Sequence, residues 1–108
     1  MSIQIVKSIN ERENRIEYGF ANFPYIDGSD LVAKIFREEY QMLSDEKIDG
    51  FWYTIIKLHR GSTEYDLIWH EDVGIYMFSV KQDEESILEL EQRLDYVVRK
   101  LDEMIKND

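Results

Sequence analysis

His59 and His70 are the only imidazoles in this 108-residue chain, and His70 is followed at once by Glu71 and Asp72. An imidazole beside two carboxylates is raw material for metal binding or for acid–base work. A metal site needs three or more ligands converging on one point, and contiguous residues at a strand end point in different directions. His59 and His70 fall at opposite ends of two strands joined by the loop at 60–63, too far apart to share an ion. The chain has no cysteine, which removes thiolate ligands, thiol nucleophiles and disulfides together. No GxSxG, HExxH, Walker or dinucleotide pattern occurs, and the glycines at 19, 28, 50, 61 and 74 stand one to a turn or strand. With 23 acidic residues in the chain, any catalytic pair of carboxylates can be drawn and none is informative. These residues point away from an enzyme, with no catalytic residue, no cofactor and no metal expected, and toward binding.

The formal charge is −10, from 23 acidic and 13 basic residues. Binders of nucleic-acid phosphate draw affinity from Lys and Arg that release counterions, so direct nucleic-acid binding is not expected. Anionic membrane surfaces are disfavoured for the same reason. A basic partner suits the charge, because complementary fields speed encounter. No apolar run approaches the roughly 20 residues that span a bilayer, and the opening Met-Ser-Ile-Gln-Ile-Val-Lys lacks the pattern of a signal peptide. The expectation is a single cytoplasmic domain over 1–108, monomeric or weakly dimeric. Its 44% of hydrophobic residues suffice for an ordinary core.

The elements follow from hydrophobic period. Residues 3–9 alternate Ile3, Ile5 and Ile9 against Gln4 and Ser8, and residues 15–21 place Ile16, Tyr18 and Phe20 on one face, which predicts a hairpin. From Leu31 to Leu43 the period becomes helical, through Val32, Ile35, Phe36, Tyr40 and Leu43. That helix is expected to end near Ser44-Asp45-Glu46, with a turn at Asp49-Gly50. Three strands follow at 51–59, 64–70 and 75–81, rich in aromatic and β-branched residues. Trp52 and Trp69, on neighbouring strands, are expected to form a core pair. Ile87, Leu90, Leu94, Val97, Leu101 and Met104 then recur at spacings of three and four, the stripe of a long amphipathic helix. The order ββ-α-βββ-α implies an α+β fold: an antiparallel sheet of about five strands with both helices packed on one face. Two helices cannot cover all of Phe51, Tyr53, Tyr65, Tyr76 and Phe78, so some aromatic surface is expected to be exposed, and exposed aromatic patches mark interfaces.

Charge is unevenly spread. Residues 1–26 are neutral, 27–50 carry −4, 51–82 carry −1 and 83–108 carry −5. Acidity is thus expected in the helical layer and its flanks. The candidate partner-binding residues are Asp27, Asp30, Glu38, Glu39, Asp45, Glu46 and Asp49, and next Trp69, Glu71 and Asp72.

The stretch Leu67-Ile68-Trp69-His70-Glu71-Asp72-Val73-Gly74-Ile75-Tyr76, followed by the acidic last helix, resembles small bacterial immunity proteins of polymorphic-toxin and contact-dependent inhibition systems. The resemblance covers about the second half of the chain. It implies a cytoplasmic protein that binds its cognate toxin, often a basic nuclease, and occludes it without chemistry of its own. The alternative of another kind is an acidic DNA mimic or phage-type inhibitor of a nucleic-acid-binding protein, which needs carboxylates spaced like phosphates.

Overall fold

The computed structural model describes residues 2–24 and 28–106. It is an α+β fold in two layers. The strands are β1 (Gln4–Asn10), β2 (Arg15–Ala21), β3 (Leu43–Asp49), β4 (Tyr53–Arg60), β5 (Thr63–His70) and β6 (Gly74–Ser79), and the helices are α1 (Gly28–Tyr40) and α2 (Glu84–Lys106). The six strands form one antiparallel sheet in the order β1-β2-β6-β5-β4-β3. Strands β3 to β6 are therefore a meander of tight turns, and the N-terminal hairpin joins it through β2 and β6.

The sheet has six strands where five are expected, because residues 43–49 pair with β4 instead of ending a helix. Leu43 fits the helical period of α1 by coincidence; it opens β3 and is exposed. Helix α1 stops at Tyr40 because Gln41 takes a left-handed conformation, φ 52°, and its last carbonyls find other donors. The Met42 N–H donates to the Phe36 carbonyl (3.3 Å), Gln41 Nε2 to the Glu38 carbonyl (3.1 Å), and Arg60 Nη1, from the end of β4, to the Tyr40 carbonyl (3.1 Å). Strand β3 is an edge strand studded with Asp45, Glu46, Lys47 and Asp49, a pattern that discourages stray pairing. Its register with β4 shifts between Leu43 and Glu46, an irregularity that bends the edge.

Both helices pack on one face of the sheet, as expected. Val32, Ile35 and Phe36 of α1 and Leu90, Leu94, Val97 and Leu101 of α2 close over Tyr18, Ile56, Leu58, Tyr65, Leu67 and Met77. Each such fully buried aliphatic side chain contributes about 1.5–3 kcal/mol relative to exposure. Asp83 starts α2 by accepting the Ser86 N–H at 3.3 Å, and the Ser86 side chain first, with that N–H, holds its carboxyl below the usual carboxylate range. Arg93 lies over the Tyr40 ring at 4.6 Å and donates to the Tyr65 hydroxyl at 3.2 Å, tying α2 to α1 and to the sheet.

Tyr65 gives the core an alkaline signature. Burial pushes its hydroxyl up to about 12 from the usual 10.0; Arg93 pulls it down and Glu89, hydrogen-bonded at 3.3 Å, pushes it up. Between these two values the unfolded chain has released the tyrosine proton and the folded chain still holds it. The unfolded state then binds fewer protons, so stability falls as pH rises through that window. Tyr65→Phe is expected to lose about 1 kcal/mol at neutral pH with its hydrogen bonds. The same variant flattens the alkaline decline, as urea titrations across that pH range will show. An undiminished alkaline slope assigns the effect to other groups.

Candidate protein-binding face

The sheet face away from the helices has a layered composition that its register makes explicit. Opposed residues carry an apolar row across all six strands: Val6, Gly19, Tyr76, Ile68, Ile55 and Ile48. Beside it runs a charged row in which Lys57 sits between Glu46 and Asp66. Lys57 reaches Asp66 at 3.5 Å, and Phe78, opposite Asp66, lies under the Arg15 guanidinium at 3.8 Å. Arg15 in turn pairs with Glu17 at 2.7 Å. Long side chains of β2 thus shield Phe78, while Val6 and Ile48 at the two edges stay exposed. On the other side of the apolar row stand Tyr53 and His70, opposite each other.

The most exposed aromatic surface lies just beyond that row. Phe51 and Trp52 fill the turn between β3 and β4, with Phe51 88% and Trp52 56% exposed. The turn is closed by the Gly50 N–H donating to the Tyr53 carbonyl at 2.8 Å, and held by the Glu71 N–H donating to the Trp52 carbonyl at 2.9 Å. The two rings meet edge to face at 5.1 Å. An open cleft of about 420 Å³ beside Trp52 is lined by His70, Glu71 and Asp72. The Asp72 N–H donates to His70 Nδ1 at 3.1 Å, which fixes the β5–β6 turn, and Gly74, φ 91°, lets that turn close. A bulky aromatic corner is thereby set beside two exposed carboxylates on a tied, short-loop scaffold.

This placement corrects the expected tryptophan core pair. Only Trp69 is on a strand, opposite Thr54, half-buried against the core on the helix side. Trp52 precedes β4 and points to solvent. Of the five aromatics that two helices cannot all cover, Tyr65 is buried under the helices at 1% exposure.

The acidic candidates do not converge. Asp30 on α1 pairs with Lys47 at 3.2 Å and Glu39 with Lys100 of α2 at 3.6 Å, so both are engaged within the helical side. Glu38 is exposed on α1. Asp49 accepts the Thr54 hydroxyl at 3.0 Å. Glu46 belongs to the opposite, helix-free face. Asp45 lies in β3, its side chain outside the described part of the structure, and Asp27 lies outside the described residues altogether. Glu71 and Asp72 do meet an aromatic neighbour, but it is Trp52. The acidity assigned to the flank of the first helix thus includes an edge strand. Sequence reasoning missed Val6, Ile48 and the protrusion of Phe51-Trp52. The available signal was Gly50, which ends β3 and leaves two consecutive aromatics in a turn.

His59 and His70 share the helix-free face but lie about 20 Å apart along it, six residues of extended strand. Among the described residues no three His, Asp or Glu side chains gather as metal ligands. No helix among them is long and apolar enough to cross a membrane. In comparisons with protein-family models, curated proteins and solved structures, none matches this chain.

Proposed function

We propose that this protein is a toxin-neutralising immunity protein that holds a basic toxin domain on its helix-free face. The carrying observation is the Phe51–Trp52 corner: two large exposed aromatics beside His70 of the helix-free face and bordered by Glu71 and Asp72, with Glu46 farther off across the apolar row. Aromatic anchors ringed by charge are the usual anatomy of a protein interface. The chain's charge of −10 favours a cationic partner. The mechanism is steric and electrostatic occlusion, with no bond made or broken by this chain.

The test is calorimetric titration with the toxin domain encoded beside its gene. Binding is expected to weaken as salt rises, because exposed charge pairs are screened. The double reversal Glu71→Lys with Asp72→Lys is expected to weaken it by about tenfold or more, ~1.4 kcal/mol. Reversal of Glu38, on the helical side, is expected to leave it unchanged. Absence of binding, or binding indifferent to salt and to the Glu71 and Asp72 reversals, removes the reading.

A further inference from the structure

The two edges of the sheet are unlike. Strand β3 carries four charged residues, Asp45, Glu46, Lys47 and Asp49. Strand β1 carries one, Lys7, and its ammonium is already neutralised by Glu91 of α2 at 2.8 Å. β1 is paired on one side only, by β2. Val6 is 53% and Ile9 71% exposed on it. A seven-residue edge without guarding charge is a template for another strand.

Charge indicates which strand. Two copies of a chain with net charge −10 repel over most of their surface, but residues 1–26 sum to zero. The unguarded edge is therefore also the place where identical copies meet with least repulsion. A basic partner, by contrast, gains least there. Behind the edge, a crevice of about 600 Å³ between β1 and α2 has Ile5 and Val98 on its floor and Asp95 and Arg99 on its rim. One acid and one base on the same rim make that surface self-complementary under a two-fold axis.

We propose that two copies of this chain pair antiparallel through β1 about a two-fold axis at Val6, joining their sheets edge to edge. With the axis normal to the sheet, residues on one face must oppose residues on the same face, which restricts the register. Centring on Lys7 sets two ammonium groups opposite each other. Centring on Val6 sets Val6 against Val6, Gln4 against Ser8 and Ile5 against Lys7. It also extends the apolar row of the helix-free face from one copy into the next, and it brings Ile9 of each copy beside the Ile5–Val98 crevice of the other.

Sedimentation velocity at high micromolar concentration, with Val6→Glu as the variant, tests this. The wild-type chain is expected at twice its 13.0 kDa, and Val6→Glu at the single mass with an unchanged circular dichroism spectrum, since position 6 is exposed. The chain has no cysteine, so Val6→Cys is a clean probe. Directly opposed residues have Cβ atoms about 4.5–5.5 Å apart, within slight adjustment of disulfide reach. Val6→Cys is expected to form a cross-linked dimer on mild oxidation, and Ile48→Cys at the other edge is not. A wild-type chain that stays at 13.0 kDa, a dimer that survives Val6→Glu, or cross-linking at Ile48→Cys in preference to Val6→Cys overturns the proposal. None of these results bears on toxin binding by the aromatic corner, which is read with a separate ligand.

Discussion

Alanine at Trp52 is expected to lower affinity for the partner by about 2 kcal/mol or more, roughly thirtyfold, and to leave the fold intact. The side chain is more than half exposed, and its ring contact is with Phe51, itself 88% exposed. Removing it therefore opens no cavity, and stability should change by about 0.5 kcal/mol or less. What the variant loses is an anchor held in place by its backbone, through the Glu71 N–H on the Trp52 carbonyl, a bond that alanine keeps. Trp69→Phe is the matched control. Trp69 packs against the core on the helix side, so its replacement costs stability and spares affinity. Calorimetry with both variants separates the two tryptophans, and the reverse pattern assigns recognition elsewhere.

Leu67→Ala is expected to cost about 2–5 kcal/mol of stability, the range for emptying a fully buried leucine site. For a domain whose total is about 5–15 kcal/mol this is a large share. Leu67 is 0% exposed in β5, directly between Ile56 and Met77 on the neighbouring strands and beneath the helices. Its neighbours are held on both sides by ladders, so the site cannot collapse far. Ile55→Ala, on the helix-free face of β4, is expected to cost clearly less, because that side chain is only half-buried. Urea midpoints at constant slope give the comparison. If the two substitutions cost the same, the two faces are packed alike and the helix-free face is not an open surface.

The parts of the fold that were legible share one property: burial on one side only. In α2 the stripe Ile87, Leu90, Leu94, Val97, Leu101 is the buried set, and its spacing reads directly as a helix. β2 alternates because one face meets the core and the other does not, and β5 does so apart from Ile68, which is buried on the helix-free face. β3 was illegible for the complementary reason. Its described side chains from Glu46 to Asp49 are exposed, so no hydrophobic period marks it, and it is held by backbone pairing to β4 and by polar contacts such as Lys47 with Asp30 and Ser44 with Arg37. The site was harder to read than the fold. That Glu46 and Asp30 stand on opposite sides of the sheet depends on strand register, and that Asp30 and Glu39 are occupied by Lys47 and Lys100 depends on contacts remote in sequence. The pairing of Glu71 and Asp72 with an aromatic neighbour was within reach, but the neighbour is set by the hydrogen bond from Glu71 to Trp52, which no local pattern announces.

The seam between the N-terminal hairpin and the meander is short, with two registered pairs, Tyr18 with Met77 and Gly19 with Tyr76. The hairpin is further attached by Ile3, Tyr18 and Phe20, buried in the shared core, and by polar contacts to α2 and the loop before it. Glu91 takes both the Lys7 ammonium and the Tyr18 hydroxyl at 2.8 Å, Asp102 accepts the Ile3 N–H at 3.0 Å, and Gln82 accepts the Ile16 N–H at 2.7 Å. Lys7 first and Tyr18 next hold the Glu91 carboxyl below the usual carboxylate range, so the clasp is a charged one. The last helix thus acts on the hairpin as a latch acts on a flap. The amides of β1 and β2 are expected to exchange with solvent ahead of the meander's, through lifting of the hairpin while β3 to β6 stay closed, as native-state hydrogen exchange will show.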